Sequence, residues 1–108
     1  MVSNSDLLSI IKNQIIAKNG NIIDDIVLFG SRINGASAAE SDYDLLVVLN
    51  KQYDWKLKDK IIESLIDVEI ENNIIIDLHV ISTYDINNTL RGMEPIYQNA
   101  LKFGLHAA

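Results

Sequence analysis

The chain has 108 residues, of which 48% are hydrophobic, 22% charged and none cysteine. That composition excludes disulfides and thiolate metal sites, and it fits one globular domain over residues 1–108 rather than a disordered chain. The formal net charge of −6 argues against a free-standing nucleic-acid binder, which carries a basic face. It fits a protein partner, or a small anion whose charge arrives screened by a cation.

Met1 to Asp6 lacks the basic and apolar regions of a signal peptide. No apolar run approaches the roughly 20 residues of a membrane span. A cytoplasmic location away from the membrane is therefore the expectation. Ser3 to Lys18 reads as the first helix, because Leu7, Leu8, Ile11, Ile15 and Ile16 recur at helical spacing and Ser3 or Ser5 suits an N-cap. Asn19-Gly20 ends it, since both residue types tolerate the left-handed conformation. A first strand follows, from Ile22 or Ile26 to Phe29. Arg32 to Ala36 is placed as a helical turn and Ala36 to Ser41 as a loop. Leu45 to Leu49 continues a second strand.

Asn50 to Asp54 is a connector. Asp54 to Ile70 is the longest predicted helix, with Leu57, Ile61, Leu65 and Val68 as its apolar stripe, widened by Ile62 and Ile66. Ile74 to Ile81 is a third strand, and a strand after a long helix implies a crossover connection. Ser82 to Asp85 resembles a helix start, with a short helix to about Leu90. Arg91 to Glu94 reads as a loop. Pro95 suits the first turn of a last helix bearing Ile96, Tyr97, Ala100, Leu101 and Phe103, which Gly104 stops. Arg91 and Lys102 read as solvated charges, with contact to an anion as the alternative.

The chemistry concentrates between Val27 and Leu49. Gly30 ends the first strand, and without a Cβ it lets the backbone approach a ligand closely. Ser31 offers a hydroxyl and a backbone N–H to a phosphate oxygen if a helix starts there. Asp42 and Asp44 are two apart, so on a strand both carboxylates face one way. Such a pair is a hard-oxygen site of the kind Mg²⁺ prefers. Asp77 stands inside the apolar run Ile74 to Ile81, where an unpaired charge is costly to bury. His79 lies two residues on and so shares its face. Alone on a strand it reads first as structural, with ligand contact as the alternative.

Gly30-Ser31, ten residues, then Asp42-x-Asp44 resembles the signature of the DNA polymerase β-like nucleotidyltransferase superfamily. The flanks Gly-Ser-Arg-x-x-Gly and Ser-Asp-Tyr-Asp-Leu resemble its smallest branch, the minimal nucleotidyltransferase (MNT) proteins. Pro95-x-Tyr97-x-Asn99 followed by Lys102-x-Gly104 also resembles their tail. The resemblance implies an α/β fold, a small mixed β-sheet flanked by helices. It implies that Gly30, Ser31 and Arg32 hold the triphosphate of ATP. It makes Asp42, Asp44 and Asp77 the catalytic carboxylates that hold two Mg²⁺ ions. Three carboxylates about 5 Å apart at an effective dielectric near 20 repel by roughly 3 kcal/mol per pair, so such a trio favours a cation, with proton sharing between the acids or a salt bridge to a basic partner such as Arg32 as the alternatives.

The reaction the resemblance implies is transfer of AMP from ATP to an acceptor hydroxyl. The biological role it implies is that of an antitoxin that adenylylates a HEPN ribonuclease toxin, in a homo- or hetero-oligomer. Two other roles stand beside it: neutralising a toxin by contact alone, and serving as catalytic subunit of a two-component enzyme that modifies a small molecule such as an aminoglycoside.

Overall fold

The computed structural model describes residues 3–30 and 42–107. Helix α1 spans Asn4–Asn19 and strand β1 spans Ile23–Phe29. Strand β2 is Tyr43–Leu49, helix α2 is Trp55–Asn72 and strand β3 is Ile76–Ser82. A short helix α3 (Thr83–Asn88), a 3-10 turn (Leu90–Met93), helix α4 (Pro95–Phe103) and strand β4 (Leu105–His106) complete the order. The first three helices start at side-chain caps. Ser3 accepts from the Asp6 N–H, Asp54 from the Leu57 N–H and Ser82 from the Asp85 N–H, each at 3.1 Å. Each cap satisfies a backbone donor that the first helical turn leaves free.

The strands form one sheet in the order β3-β2-β1-β4. β1 runs antiparallel to β2 and β4, while β3 runs parallel to β2. The parallel pair requires the crossover that α2 provides. The result is the mixed, helix-flanked α/β sheet that the sequence implies.

Side-chain alternation divides the core in two. Ile26, Leu28, Leu45, Val47 and Val80 face α1 and α2, which bring Leu8, Ile11, Ile15, Ile61, Leu65 and Val68. Val27, Leu46, Val48 and Ile81 face the other way and pack with Tyr97 and Ala100 of α4. β1 and β2 are therefore apolar on both faces, as the unbroken runs Ile26–Leu28 and Leu45–Leu49 require.

Three details differ from the sequence reading. Ile62 and Ile66 do not widen the core stripe of α2; both are exposed, at 42% and 45%. The sheet covers an arc of α2 that ends at Ile61, Leu65 and Val68, and these two lie beyond it. Arg91 to Glu94 is not an open loop, because its residues close a 3-10 turn in which Gly92 is buried. β4 has no counterpart in the sequence reading. It is two residues long and carries no period of its own; Gly104 releases the chain from α4, and the Ala107 N–H donates to the Ile26 carbonyl at 2.8 Å. The helical turn at Arg32 to Ala36 and the loop to Ser41 lie outside the described residues.

Candidate active site

The strand register decides which side chains meet. Asp44 is the second residue of β2 and pairs with Asp77 on β3. On its other side it pairs with Phe29, the last residue of β1. By alternation Phe29, Asp44, Asp77 and His79 all project from the α4 side of the sheet, with Val27, Leu46 and Ile81. They occupy the end of the sheet where β1 finishes and β2 and β3 begin.

Asp44, Asp77 and His79 bring ligand atoms within 4.8 Å of one another. His79 Nε2 is 3.5 Å from Asp77 Oδ2 and 3.9 Å from Asp44 Oδ1. That nitrogen is buried and has no hydrogen-bond partner among the described residues. The His79 ring lies against Phe29, with centroids 5.5 Å apart, which holds the imidazole over the carboxylates. Asp77 is less enclosed than its place in an apolar run suggests. Its side chain is 56% exposed, against 31% for Asp44 and 23% for His79. The apolar run is buried only from Val80 onward, because the start of β3 extends past the helices.

Burial pushes the Asp44 carboxyl above its ordinary value, the charge of Asp77 pushes it further, and Asp42 adds to the rise while His79 opposes it. A pair of acids in this state gains when a cation arrives. The donor set also fits one. Two donor atoms each about 2.1 Å from one ion lie no more than about 4.2 Å apart, and both His79 distances fall inside that span. The carboxylates suit Mg²⁺, while an orphaned imidazole nitrogen suits a transition metal such as Mn²⁺.

Gly30 follows Phe29 with φ at +87°, and a Cβ there would run into the Asp44 carboxylate. The position therefore needs glycine for its backbone and for its space. A cavity of about 590 Å³ opens beside it, lined by Phe29, Gly30, Ile96, Asn99, Phe103 and Gly104.

The sequence matches the model of the family described as Polymerase beta, Nucleotidyltransferase, over residues 11–100. The chain belongs to the polymerase beta nucleotidyltransferase family. As a member of that family it is a nucleotidyltransferase-like protein. Neither the curated proteins nor the solved structures contain a match to it.

In this member of the nucleotidyltransferase family the structure brings Asp44 and Asp77 together beside Gly30. Asp42 precedes β2, is exposed, and lies close enough for its charge to act on Asp44, but it is not one of the three clustered ligands. Ser31 and Arg32 lie outside the described residues. His79, read first as structural, places a ring nitrogen in the cluster beside the two aspartates; its spacing of two from Asp77 was the available signal. Arg91 is not a solvated charge. Its guanidinium donates to Tyr53 Oη at 2.6 Å, to the Val80 carbonyl at 2.9 Å and to Tyr97 Oη at 3.0 Å. Those bonds tie β3 to α4 and leave the side chain engaged in the fold. Lys102 sits over the Phe103 ring, 5.3 Å from its centroid.

Proposed function

We propose that the protein transfers AMP from ATP to an acceptor hydroxyl, using divalent cations held by Asp44, Asp77 and Asp42 with His79 as a nitrogen donor. The observation that carries this reading is the pairing of Asp44 with Asp77 across the parallel strands, directly beside Gly30. When bound, the cations neutralise charge on the phosphates and on the attacking and leaving oxygens. The protein's own part is to position and to accept a proton. Gly30 admits the triphosphate next to Asp44, with Ser31 and Arg32 as its further ligands. Asp77, the most exposed of the clustered acids, takes the proton of the acceptor hydroxyl. The acceptor oxygen bonds to the α-phosphorus, the bond to the bridging oxygen breaks, and pyrophosphate leaves. The cavity lined by Phe29, Ile96, Asn99 and Phe103 offers space next to the reacting centre for the nucleoside or the acceptor.

The acceptor we propose is a hydroxyl on a partner protein, of the HEPN ribonuclease toxin type. The MNT-like flanks of Gly30-Ser31 and Asp42-x-Asp44 support this. Incubation with Mg²⁺, α-labelled ATP and the product of the neighbouring gene tests it. The expected result is pyrophosphate release and a mass gain of one AMP on the partner, lost in Asp44→Asn/Asp77→Asn. Equal labelling by wild type and double variant would overturn the site. No labelling, with the partner still neutralised by the variant, would identify contact rather than transfer as the function.

A further inference from the structure

The core-facing side of α2 carries Ile61, Leu65 and Val68. A second apolar stripe lies on its outer side. Trp55, Ile62, Ile66 and Ile70 are 69%, 42%, 45% and 72% exposed. At about 100° per residue, steps of four or seven advance only about 40° or back about 20°, so the four side chains form one continuous ridge. Asp59, near its start, is the one charge inside it. Single exposed apolar residues are ordinary, but an aligned row of four large ones marks a contact surface.

The charges beside the ridge are unevenly distributed. Lys56, Lys58 and Lys60 fill the first half of α2, while Glu63, Asp67, Glu69 and Glu71 fill the second. Lys58 and Glu69 flank one edge of the ridge; Lys60 and Asp67 flank the other. A helix with this pattern is complementary to itself when reversed. Antiparallel pairing with its midpoint between Glu63 and Ser64 brings Ile62 beside Ile66 and Trp55 within one turn of Ile70. The same register sets Lys58 against Glu69 on one edge and Lys60 against Asp67 on the other. Flanking charge pairs of this kind fix partner and orientation between helices.

We propose that two copies of the chain associate through α2 in an antiparallel, two-fold symmetric pair. Such an interface is isologous, with each contact made twice. It uses the face of the molecule opposite the acidic site, so both sites remain open in the dimer and the proposal stands independently of catalysis. The existing contacts of the flanking residues are compatible with it. Lys18 reaches Asp67 at 3.8 Å in an exposed pair, and Glu69 Oε2 accepts from the Ile76 N–H while a second carboxylate oxygen stays available.

Sedimentation velocity on the full chain over roughly 1–500 µM, the range in which a small interface dissociates, reads the association directly. The wild type is expected to approach the mass of two chains as concentration rises, and Ile66→Glu to remain at one. Lys60→Glu alone and Asp67→Lys alone each weaken association about tenfold, since each turns two symmetric attractions into repulsions. An equimolar mixture of these two variants restores it, because the mixed pair recovers opposite charges at both edges. A wild type that sediments as one chain throughout overturns the proposal. So does a mixture that associates no better than either variant alone.

Discussion

Asp44 and Asp77 stand opposite each other in the parallel pairing of β2 and β3, so the sheet register itself fixes the approach of the two carboxylates. Neighbouring strands lie about 4.8 Å apart, and neither side chain can withdraw far without leaving its strand. The strain is visible at Asp44. Its carboxyl is raised from the ordinary value of 3.8, first by burial and then by Asp77. A raised carboxyl means that the fold disfavours the ionised form. Without metal, stability is therefore lost as pH rises through the interval between 3.8 and the raised value, and the loss persists at neutral pH. Asp44→Asn should accordingly raise Tm in chelator at pH 7 by about 2–5 °C, a gain of about 1 kcal/mol. The same variant should lose the stabilisation that Mg²⁺ or Mn²⁺ gives the wild type. Calorimetry with and without cation checks both, and a variant that melts lower in chelator would show that the acids do not repel.

Gly30 is constrained from two directions, by its positive φ and by the Asp44 carboxylate. Gly30→Ala should cost about 1–2 kcal/mol in backbone strain alone. It should also push the carboxylate off the line to Asp77 and weaken cation binding. The wild-type affinity for Mn²⁺, measured by calorimetric titration against this variant, separates the two effects. Unchanged affinity in a destabilised protein would limit Gly30 to a turn residue.

His79 Nε2 is buried without a hydrogen-bond partner among the described residues, which is unfavourable unless something binds it. If it is a ligand, Mn²⁺ bound to the wild type should show nitrogen coupling in pulsed EPR, and His79→Leu should remove it. Mn²⁺ affinity should fall about tenfold or more. Mg²⁺ affinity should change less, because Mg²⁺ draws mainly on oxygen. Wild-type spectra without nitrogen coupling would remove His79 from the metal site.

Much of this arrangement was legible in the sequence, for identifiable reasons. Ile26–Phe29 and Leu45–Leu49 are continuous apolar runs, and only a strand buried on both faces uses such a run efficiently. The caps Ser3, Asp54 and Ser82 announce their helices because few residue types can satisfy free N–H groups. The parallel partner of β2 followed from the length of α2. What local pattern could not give is pairwise. That Arg91 closes on Tyr53 and Tyr97 depends on where α4 docks. The outward turn of Ile62 and Ile66 depends on which arc of α2 the sheet covers. The role of His79 depends on the register of β3 against β2, since period alone places it on a face but not beside Asp44. β4 is fixed by tethers at its ends rather than by its own two residues.

Arg91 spans β3, α2's approach and α4 with three hydrogen bonds, two of them to tyrosine hydroxyls, and its guanidinium is 3.8 Å from Asp85. Lysine cannot reproduce that planar set of donors. Arg91→Lys should cost about 1–2 kcal/mol and Arg91→Ala about 2–3 kcal/mol. Denaturant unfolding checks the order. Equal, near-zero losses would return Arg91 to the status of a surface charge.

His106 gives the fold a pH dependence of the same sense as that of Asp44, at higher pH. Its Nδ1 is 2.7 Å from Asp25 Oδ2 and its Nε2 is 2.8 Å from the Leu101 carbonyl. Only the imidazolium can donate to both acceptors at once. Burial lowers the His106 value, but the Leu101 carbonyl and then Asp25 outweigh it, and the net shift is upward from 6.5. A raised histidine contributes stability that is fully present below its unfolded value. That contribution is lost as pH rises from about 6.5 through the raised value. The part of the fold that responds is β4, which holds the chain end to β1. Amide exchange at Ala107, whose N–H bonds to Ile26, should therefore accelerate beyond its intrinsic pH dependence as pH rises from about 6.5. His106→Gln should abolish the excess and leave Ala107 equally mobile across the range. Protection at Ala107 that tracks intrinsic exchange in both proteins would mean that β4 is held by its backbone alone.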